Sequence, residues 1–470
     1  MAETAGSQVT TALADWVAGV DLDAVPLHTQ ARAKYLLLDG VACGLVGAQL
    51  PWSRVATAAV LDIEGKGDAA VIGTGLTSSS PAAVLLNSTF VQGFELDDFH
   101  PLAPLHNAAL IVPVMLATAQ HQRMSGRQAL LAAIVGYEVG PRVGLALHGA
   151  QMLSRGWHSG AVFGTHTAAM TAGKLRGLDA DRLEDALGMA GTQSAGLMAA
   201  QYEAMSKRMQ HGFAARNGFY AAALAAGGYT GIKQVFDRPY GGYLSVFGEG
   251  HHPDASQVCA GLGQWWHTDV VLVKSYAAQG GLHGTIDAIV ALRTEHQIDP
   301  AAVARIDIGV GDTVYHHGWW VPQRPLTEVG AQMNLGYAAS VALLDGEVTP
   351  RQYTTSRLNS DDVWDLLGKV SVRLDTGIEN GPADQRFATE VAITLDDGTV
   401  YTTRVNQPHG GPADPVTNDE IVAKYRTLVS ALMPADRVDA IQAAVLGLDG
   451  LDDVDELTAL LAAPVAGALD

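Results

Sequence analysis

The spacing of apolar residues changes twice along this chain of 470 residues. Up to about residue 260, apolar positions recur at helical spacing, and glycine or proline separates the runs. Segments with the alternation of strands follow, and a helical pattern returns before the C-terminus. Because helices and sheets bury their apolar faces against each other, this order predicts a mostly α fold. We place a large all-helical domain at residues 1–269 and 406–470, with a smaller α+β lid domain inserted at residues 270–405.

Local patterns predict individual elements. The predicted helices of the first part are Ala31–Val46, Pro81–Phe94, Gly126–His148, Ala161–Leu175 and Leu183–Met198, with Asp179 and Asp181 as N-cap candidates for the last. The predicted strands are Ala304–Val310, Val370–Leu374, Ala388–Leu395 and Val400–Val405, the last two joined by the hairpin signal Asp396-Asp397-Gly398. Thr417 and Glu420 match a capping box before an amphipathic helix, and Asp455–Leu461 predicts a final helix.

The chain is acidic, with a formal net charge of −20. Nucleic acids and anionic membranes are bound by clustered Lys and Arg side chains, so we expect neither as a partner. A small anionic substrate is compatible with this charge only if its site is a local cationic pocket within an acidic surface.

Few residues are available for a metal or disulfide site. Cys43 and Cys259 are the only cysteines, too few for an aconitase-type iron–sulfur cluster or a disulfide framework. The other possible metal ligands, none with a diagnostic spacing, are Asp97, Asp98, His100, His106, His251-His252 and His316-His317. We therefore expect neither a metal nor a cofactor.

Targeting signals are also missing from the sequence. The first residues, Met1–Ser7, lack the basic and apolar regions of a signal peptide. The longest apolar run, Ala108–Ala119, contains Pro113 and is too short to span a bilayer. We expect a cytoplasmic protein.

The strongest candidate for chemistry is the segment that ends just before the apolar run 107–119. Its titratable residues are Glu95, Asp97, Asp98, His100 and His106. Pro101 and Pro104 favour a fixed loop over a helix face. Titratable groups at the edge of a buried helix suit proton transfer, because burial and neighbouring charge move pKa values toward neutrality. The alternative is a solvated acidic loop with incidental histidines.

Four further segments carry candidate residues. They contain His158 beside glycines at a helix start; Lys207, Arg208 and His211, followed by Arg216; Lys274 and His283 around a glycine pair; and Tyr337 before an apolar run. Cations concentrated in so acidic a chain suggest a carboxylate clamp, and a solvated helix face is the alternative. His158 would contact an anion at the helix N-terminus or cap the helix, and Tyr337 is otherwise a core tyrosine.

With these segments in this order, the chain resembles the MmgE/PrpD superfamily, and within it the fungal cis-aconitate decarboxylases. The similar segments are 31–40, 95–106, Gly156–His158, Gln210–Gly218, Tyr240–Tyr243, Gly261–Gly263 with Trp266–Thr268, and Lys424–Leu428. They are spread over essentially the whole chain. The resemblance implies a helical domain with a smaller α+β lid, a homodimer, and a cofactor-free lyase site at the domain junction.

The reaction that the resemblance implies is decarboxylation of cis-aconitate to itaconate. Members of the superfamily also dehydrate or epimerise similar acids, so a 2-methylcitrate dehydratase-like hydro-lyase or an iminodisuccinate-type epimerase is the alternative. A non-catalytic anion-binding homologue would belong to a different class.

By the same resemblance, the catalytic positions are His106, Lys207, His283, His158, Tyr337, Asp97 and Asp98. Lys207, Arg208 and Lys274 would bind the carboxylates and stabilise the charge of a carbanion. Either His106 or His283 would protonate it.

The remaining roles concern orientation. His158 and Tyr337 would orient the substrate, and Asp97 or Asp98 would set the tautomer of a histidine. Since the loop 95–99 varies in length among family members, Glu95 is a further candidate for the acid that faces the site. Ala278-Gln279 stands where the fungal decarboxylase has paired cysteines, and we expect this departure to influence which acid is accepted.

Overall fold

The computed structural model describes residues 8–382, 385 and 387–467. Met1–Ser7, for which the sequence predicts no signal peptide, lie outside the described residues. The helices of the first part are α1 (Val9–Gly19), α2 (Leu27–Gly47), α3 (Pro51–Ile63), α4 (Ser80–Val91), α5 (Ala108–Gln122), α6 (Gly126–Ala146), α7 (Gly149–Ser154), α8 (Ser159–Val162), α9 (Gly164–Leu175), α10 (Ala180–Gly191), α11 (Ser206–Ala226) and α12 (Tyr243–Phe247). A short antiparallel hairpin, β1 (Ala69–Val71) and β2 (Leu76–Ser78), lies between α3 and α4.

The rest of the chain mixes helices with a four-stranded sheet. Its helices are α13 (His283–His296), α14 (Asp312–Gly318), α15 (Glu328–Met333), α16 (Leu335–Asp345), α17 (Thr355–Leu358), α18 (Asp361–Leu367), α19 (Thr376–Glu379), α20 (Asn418–Val429), α21 (Ala435–Leu446) and α22 (Asp455–Ala462). Its strands are β3 (Val303–Val310), β4 (Val370–Leu374), β5 (Thr389–Leu395) and β6 (Val400–Val405), in the order β4-β3-β5-β6. The β3–β4 pair is parallel and the other two pairs of this sheet are antiparallel, which confirms the predicted β5–β6 hairpin. The number and length of the helices confirm the mostly α fold.

Helix α11 lies at the centre of the helical part and packs against α4, α5, α9 and α10. Two glycines allow this close packing. A Cβ at Gly212 would lie 2.6 Å from the Leu85 carbonyl oxygen of α4, and one at Gly218 would lie 2.4 Å from the Thr165 carbonyl oxygen of α9. The backbone of α11 is thereby held close to two neighbours, which fixes the position of the side chains at its N-terminal end.

Two of the predicted helices differ from the structure. The predicted helix 161–175 is divided at Phe163 into α8 and α9. The prediction that a helix runs from Leu183 to Met198 is wrong, because α10 ends at Gly191. Beyond it the backbone pairs with the segment around His158, whose N–H donates to the Gly196 carbonyl at 3.1 Å. Tertiary pairing therefore overrides helical periodicity there.

The cap of α10 follows the sequence signal only in part. Asp179 is the N-cap and accepts a hydrogen bond from the Arg182 N–H at 3.0 Å. Asp181 lies inside the first turn, so its assignment as an N-cap is wrong.

The C-terminal helices pack against the first part of the chain. Thr417 and Glu420 form the predicted capping box of α20, which lies on α2. Helix α22 contacts α5 and β1, while α13 packs on β5 and β6 and beside α16. The domain boundaries at residues 269/270 and 405/406 stay a prediction.

Among the described residues, α6 is long and apolar enough to cross a membrane by length and composition, and α2 with α3 pass the same test as a pair bent by 82°. In α6, 89% of the apolar window is buried inside the protein. The apolarity of α6 is therefore accounted for by its place in the core.

Candidate active site

A pocket opens between the loop 95–106, the start of α8, the start of α11, and the segments 272–283 and 407–412. The candidate residues that line it are Glu95, His106, His158, Lys207, Lys274, Gln279 and His283. The candidates that do not line it are Asp97, Asp98, Arg208 and Tyr337. The fold thus brings five of the predicted catalytic or substrate-binding residues to one cavity, and the others lie behind its wall or in the core.

Glu95 is buried in the pocket wall and binds three cations. Its Oε1 contacts Lys207 Nζ and lies 2.5 Å from Arg208 Nη1. Its Oε2 lies 2.9 Å from Lys274 Nζ. Burial acts to raise the pKa of the Glu95 carboxyl, but Lys207, Lys274 and Arg208 hold that pKa well below its ordinary value. Glu95 is therefore the acid of this loop that faces the pocket, and the cluster around it has more positive than negative groups.

Helix α11 supplies two of these cations from its first turn. Arg208 is fully buried, and besides Glu95 it donates from Nη2 to the side-chain oxygen of Gln332 on α15. Arg208 therefore holds Glu95 from behind, while Lys207 reaches the cavity.

The charge of Lys207 depends on pH within the ordinary laboratory range. Burial lowers the pKa of its ammonium to about 8, although Glu95 acts in the opposite direction. Lys207 is consequently protonated for the most part at neutral pH and loses its charge as the pH rises above about 8.

His106 and Asp97 form a pair at the pocket wall. His106 Nδ1 lies 3.1 Å from Oδ2 of Asp97, which is fully buried behind it. The Asp97 carboxylate thus lies beside the His106 ring at ion-pair distance, although neither Nδ1 nor the Asp97 oxygens have a hydrogen-bond partner in the described part of the chain.

Two further histidine rings continue from His106. The ring of His211 lies 5.1 Å from the rings of both His106 and His158, edge to face in each case. Burial, with the charge of Lys207, lowers the pKa of His158 well below its ordinary value, so His158 is neutral at neutral pH. From the sequence, His211 was named beside Lys207 and Arg208 without being given a role, and its spacing of four from Lys207 places both residues on one face of α11.

Asp98 points away from the pocket. Its Oδ1 accepts a hydrogen bond from the Ala108 N–H at the start of α5, at 2.8 Å. Burial raises the pKa of the Asp98 carboxyl well above its ordinary value. The three acids of this loop thus face three different environments: the cations for Glu95, a histidine for Asp97 and a helix terminus for Asp98.

The segment 272–283 contributes Lys274, Gln279 and His283 to the pocket. His283 Nε2 lies 3.2 Å from the Ala278 carbonyl oxygen. Burial, together with Lys274, lowers the pKa of His283 to about 3, so this imidazole is neutral at neutral pH. The side-chain oxygen of Gln279 has no hydrogen-bond partner among the described residues.

Tyr337 lies in the core at the start of α16. Its hydroxyl donates to the Gln352 carbonyl oxygen, and its ring lies 5.7 Å from that of Tyr353. This placement matches the alternative interpretation of Tyr337 as a core tyrosine with a satisfied hydroxyl.

The rim includes a histidine that we did not predict. His409 lines the pocket from the segment that precedes α20. Its Nδ1 lies 2.8 Å from Asp414 and its Nε2 lies 3.2 Å from Glu420. Burial acts to lower the pKa of His409, but these carboxylates raise it above its ordinary value. Nothing near residue 409 in the sequence connects it with the predicted residues that line the pocket, the last of which is His283.

Within the part of the chain that the structure describes, no group of three or more His, Cys, Asp and Glu side chains is arranged to hold a metal ion.

Two family models match the chain. The MmgE/PrpD N-terminal domain matches residues 11–255, and the MmgE/PrpD C-terminal domain matches residues 276–449. Together they cover most of the chain, including the residues named above as lining the pocket except Lys274, which lies between the two matched ranges.

Several curated proteins are similar over nearly their whole length. A cis-aconitate decarboxylase-like protein, oryM, of Aspergillus oryzae is 42% identical over 97% of this chain and 98% of its own. The cis-aconitate decarboxylase of Aspergillus terreus is 40% identical over 99% of this chain and 98% of its own. The cis-aconitate decarboxylase of Mus musculus is 27% identical over 97% of this chain and 94% of its own.

Proposed function

The chain belongs to the MmgE/PrpD family, and we propose that it is a carboxy-lyase that converts cis-aconitate to itaconate and carbon dioxide without a cofactor. The observation that carries the proposal is the pocket wall in which Lys207 and Lys274 lie near the His106–Asp97 pair. Cations there bind a polycarboxylate, and a histidine beside them supplies a proton. The full-length similarity to relatives named for this reaction supports the same assignment.

Lys207 and Lys274 would assist the cleavage of a carbon–carbon bond in the substrate. The bond to the methylene carboxylate of cis-aconitate breaks and carbon dioxide leaves. The electron pair of the broken bond forms the new terminal double bond. The electrons of the old double bond move onto its CH carbon and into the carboxylate that this carbon carries. Lys207 and Lys274 would hold that carboxylate as it gains charge, which lowers the barrier because the charges are arranged before the reaction begins.

A proton must then reach the carbon next to that carboxylate. We assign this step to His106, because it lines the pocket and its Nδ1 lies 3.1 Å from the Asp97 carboxylate. His283 and His158 are poorer donors, since burial keeps both neutral at neutral pH. After the transfer, His106 is neutral and regains a proton from solvent.

The other candidates receive supporting roles. Arg208 keeps Glu95 in place, and His158 and His283 act as uncharged hydrogen-bonding groups for the carboxylates. Asp98 and Tyr337 do not line the pocket in the structure, so we give them no substrate contact. The segment 270–405 would act as a lid whose closure excludes water and strengthens each charge contact.

Incubation with cis-aconitate, 2-methylcitrate and iminodisuccinate in deuterated water tests the assignment. We expect itaconate from cis-aconitate, with one solvent deuterium in the methylene group beside the carboxylate, and the same rate after EDTA treatment. NMR of the product mixture reads both results, and the Lys207→Ala variant serves as the background control. Turnover of 2-methylcitrate alone would show that the protein is a hydro-lyase instead of a decarboxylase. Turnover of iminodisuccinate alone would show that it is an epimerase. Loss of activity with EDTA, restored by one added metal, would overturn the cofactor-free mechanism.

We further propose that the protein is a cytoplasmic homodimer that pairs through the outer face of α11. Phe213, Tyr220 and Leu224 are exposed along this helix, and Met205 is exposed just before its first residue. Large apolar side chains that follow one helix face mark an interface in most proteins that expose them. Since Lys207 and His211 lie on the inner side of α11, a partner on the outer face would also fix the helix that carries them.

Light scattering of the Phe213→Glu, Tyr220→Glu double variant tests this surface. We expect a dimer for the unchanged protein and a monomer for the variant, because two carboxylates would be buried without partners. The matched control is Val400→Glu, which places a carboxylate at an exposed apolar position of β6 and is expected to leave the dimer intact. A monomeric unchanged protein would contradict the proposal.

A further inference from the structure

Lys424 contacts the loop 95–106 at a residue that does not itself line the pocket. It lies on α20, and its Nζ donates to the Leu96 carbonyl oxygen at 2.6 Å. The same ammonium lies 2.6 Å from Oδ1 of Asp39 on α2. Leu96 stands between Glu95, which binds the cations, and Asp97, which pairs with His106. Lys424 therefore holds the one residue that joins the two parts of the proposed site.

The pair is enclosed rather than solvated. The Asp39 side chain has no exposed surface, and that of Lys424 is 13% exposed. Burial acts to lower the pKa of Lys424, but Asp39 raises it above its ordinary value, so the ammonium is charged at neutral pH. A buried ion pair contributes little to stability compared with apolar side chains of similar size. Its position under the loop therefore calls for another explanation.

The backbone at Glu95 needs such support. Its φ angle is 53°, in the left-handed region that a side-chain-bearing residue seldom adopts. Residues in this region stay there only when their surroundings hold them. The cations hold the Glu95 carboxylate on the pocket side, and Lys424 holds the next carbonyl on the other side.

We infer that Lys424 is a positioning residue: by binding the Leu96 carbonyl from α20, it fixes Glu95 among the cations and Asp97 behind His106 without touching the substrate. Asp39 keeps the ammonium charged and directed at Leu96. Lys424 and Asp39 belong to two segments, 424–428 and 31–40, that the proposed mechanism leaves unused. The inference rests on the proposed function for its kinetic readout alone.

Three variants separate positioning from stability. Lys424→Met removes the donor and leaves Asp39 as an unpaired buried carboxylate. The double variant Asp39→Leu, Lys424→Met removes the donor and both charges, so it has no unpaired buried charge. Lys424→Arg keeps a charged donor. Thermal unfolding and kcat/KM for cis-aconitate are measured for each.

We expect Lys424→Met to lose both stability and activity. The double variant should regain most of the stability, yet its kcat/KM should stay about 10-fold or more below the unchanged protein, because a small displacement of the reacting groups is costly. Lys424→Arg should retain more activity than either. A double variant that recovers activity together with stability would reduce Lys424 to a structural residue and overturn the inference. If Lys424→Met does not fold, the stability and kcat/KM of the double variant are compared directly with those of the unchanged protein.

Calorimetry with propane-1,2,3-tricarboxylate distinguishes failure of this inference from failure of the proposed function. This saturated acid cannot form an allylic carbanion, so it reports on the cation cluster whatever the reaction is. If no acid is turned over, the proposed function fails. In that case the inference is supported if the double variant binds propane-1,2,3-tricarboxylate about 10-fold more weakly than the unchanged protein does. It is overturned if the two proteins bind this acid equally well.

Discussion

Replacing Lys207 by alanine is expected to reduce kcat/KM for cis-aconitate by about 100-fold or more. Lys207 reaches the cavity from α11, and its ammonium is one of the charges that would stabilise the carbanion. Loss of such a contact in a desolvated site costs about 3 kcal/mol of transition-state stabilisation. Steady-state kinetics measure the effect, and thermal unfolding establishes that the variant is folded.

Two controls accompany Lys207→Ala. Lys233→Ala removes a partly exposed lysine that pairs with Asp181 and Asp185 outside the pocket, and it should leave kcat/KM nearly unchanged. Lys207→Arg tests the charge, because the guanidinium stays protonated in proteins. With lysine, activity should fall as the pH rises above about 8, since the ammonium then loses its proton. With arginine this alkaline decline should move to higher pH. A folded Lys207→Ala, His106→Ala double variant with nearly unchanged turnover would contradict the mechanism.

The second large effect is expected on stability. Glu95→Gln removes the carboxylate shared by Lys207, Arg208 and Lys274 and leaves these cations close together in a buried wall. We expect the free energy of unfolding at neutral pH to fall by about 3–5 kcal/mol, the usual cost of breaking a buried ion pair from one side. Urea unfolding measures it.

The pH dependence of this loss has a defined sign. The pKa of Glu95 is lower in the folded protein than in the unfolded chain, so its stabilising contribution is present above the unfolded value and is lost as the pH falls through the folded value. The difference between Glu95→Gln and the unchanged protein should therefore shrink at low pH.

The matched control for Glu95→Gln is Asp361→Asn. Asp361 pairs with Arg324, but its side chain is 86% exposed, so its neutralisation should cost less than about 1 kcal/mol. Adding Lys274→Met to Glu95→Gln should recover part of the lost stability, because one uncompensated cation is removed. Equal stability of Glu95→Gln and the unchanged protein at neutral pH would show that the cluster does not depend on its carboxylate.

Features that depend on a few neighbouring residues could be predicted from the sequence. The capping box of Thr417 and Glu420, the Asp179 cap and the β5–β6 hairpin are confirmed, because their hydrogen bonds close within a few positions. The helix predicted to end at Met198 is wrong for the complementary reason: the residues after Gly191 pair with a distant segment.

The site residues also divide into those that the sequence indicated and those that only the tertiary structure identified. The residue types and the similar segments pointed to His106, His158, Lys207, Lys274 and His283, and the fold brings these side chains to one pocket. Sequence alone did not distinguish among Glu95, Asp97 and Asp98, since three acids within four positions look equivalent until their partners are known. His409 was missed because the other residues of the pocket lie far from it in the chain.

By itself, the sequence determined the mostly α fold with its small sheet and the family. It also determined that the chain is acidic and that a few short segments concentrate cationic side chains. Only the tertiary structure decided that Glu95 collects three cations, that Asp97 pairs with His106, and that Lys424 supports the residue between them. The physical reason is that periodicity and capping act over a few residues, whereas the charge state and orientation of a buried group depend on which distant side chains are packed against it.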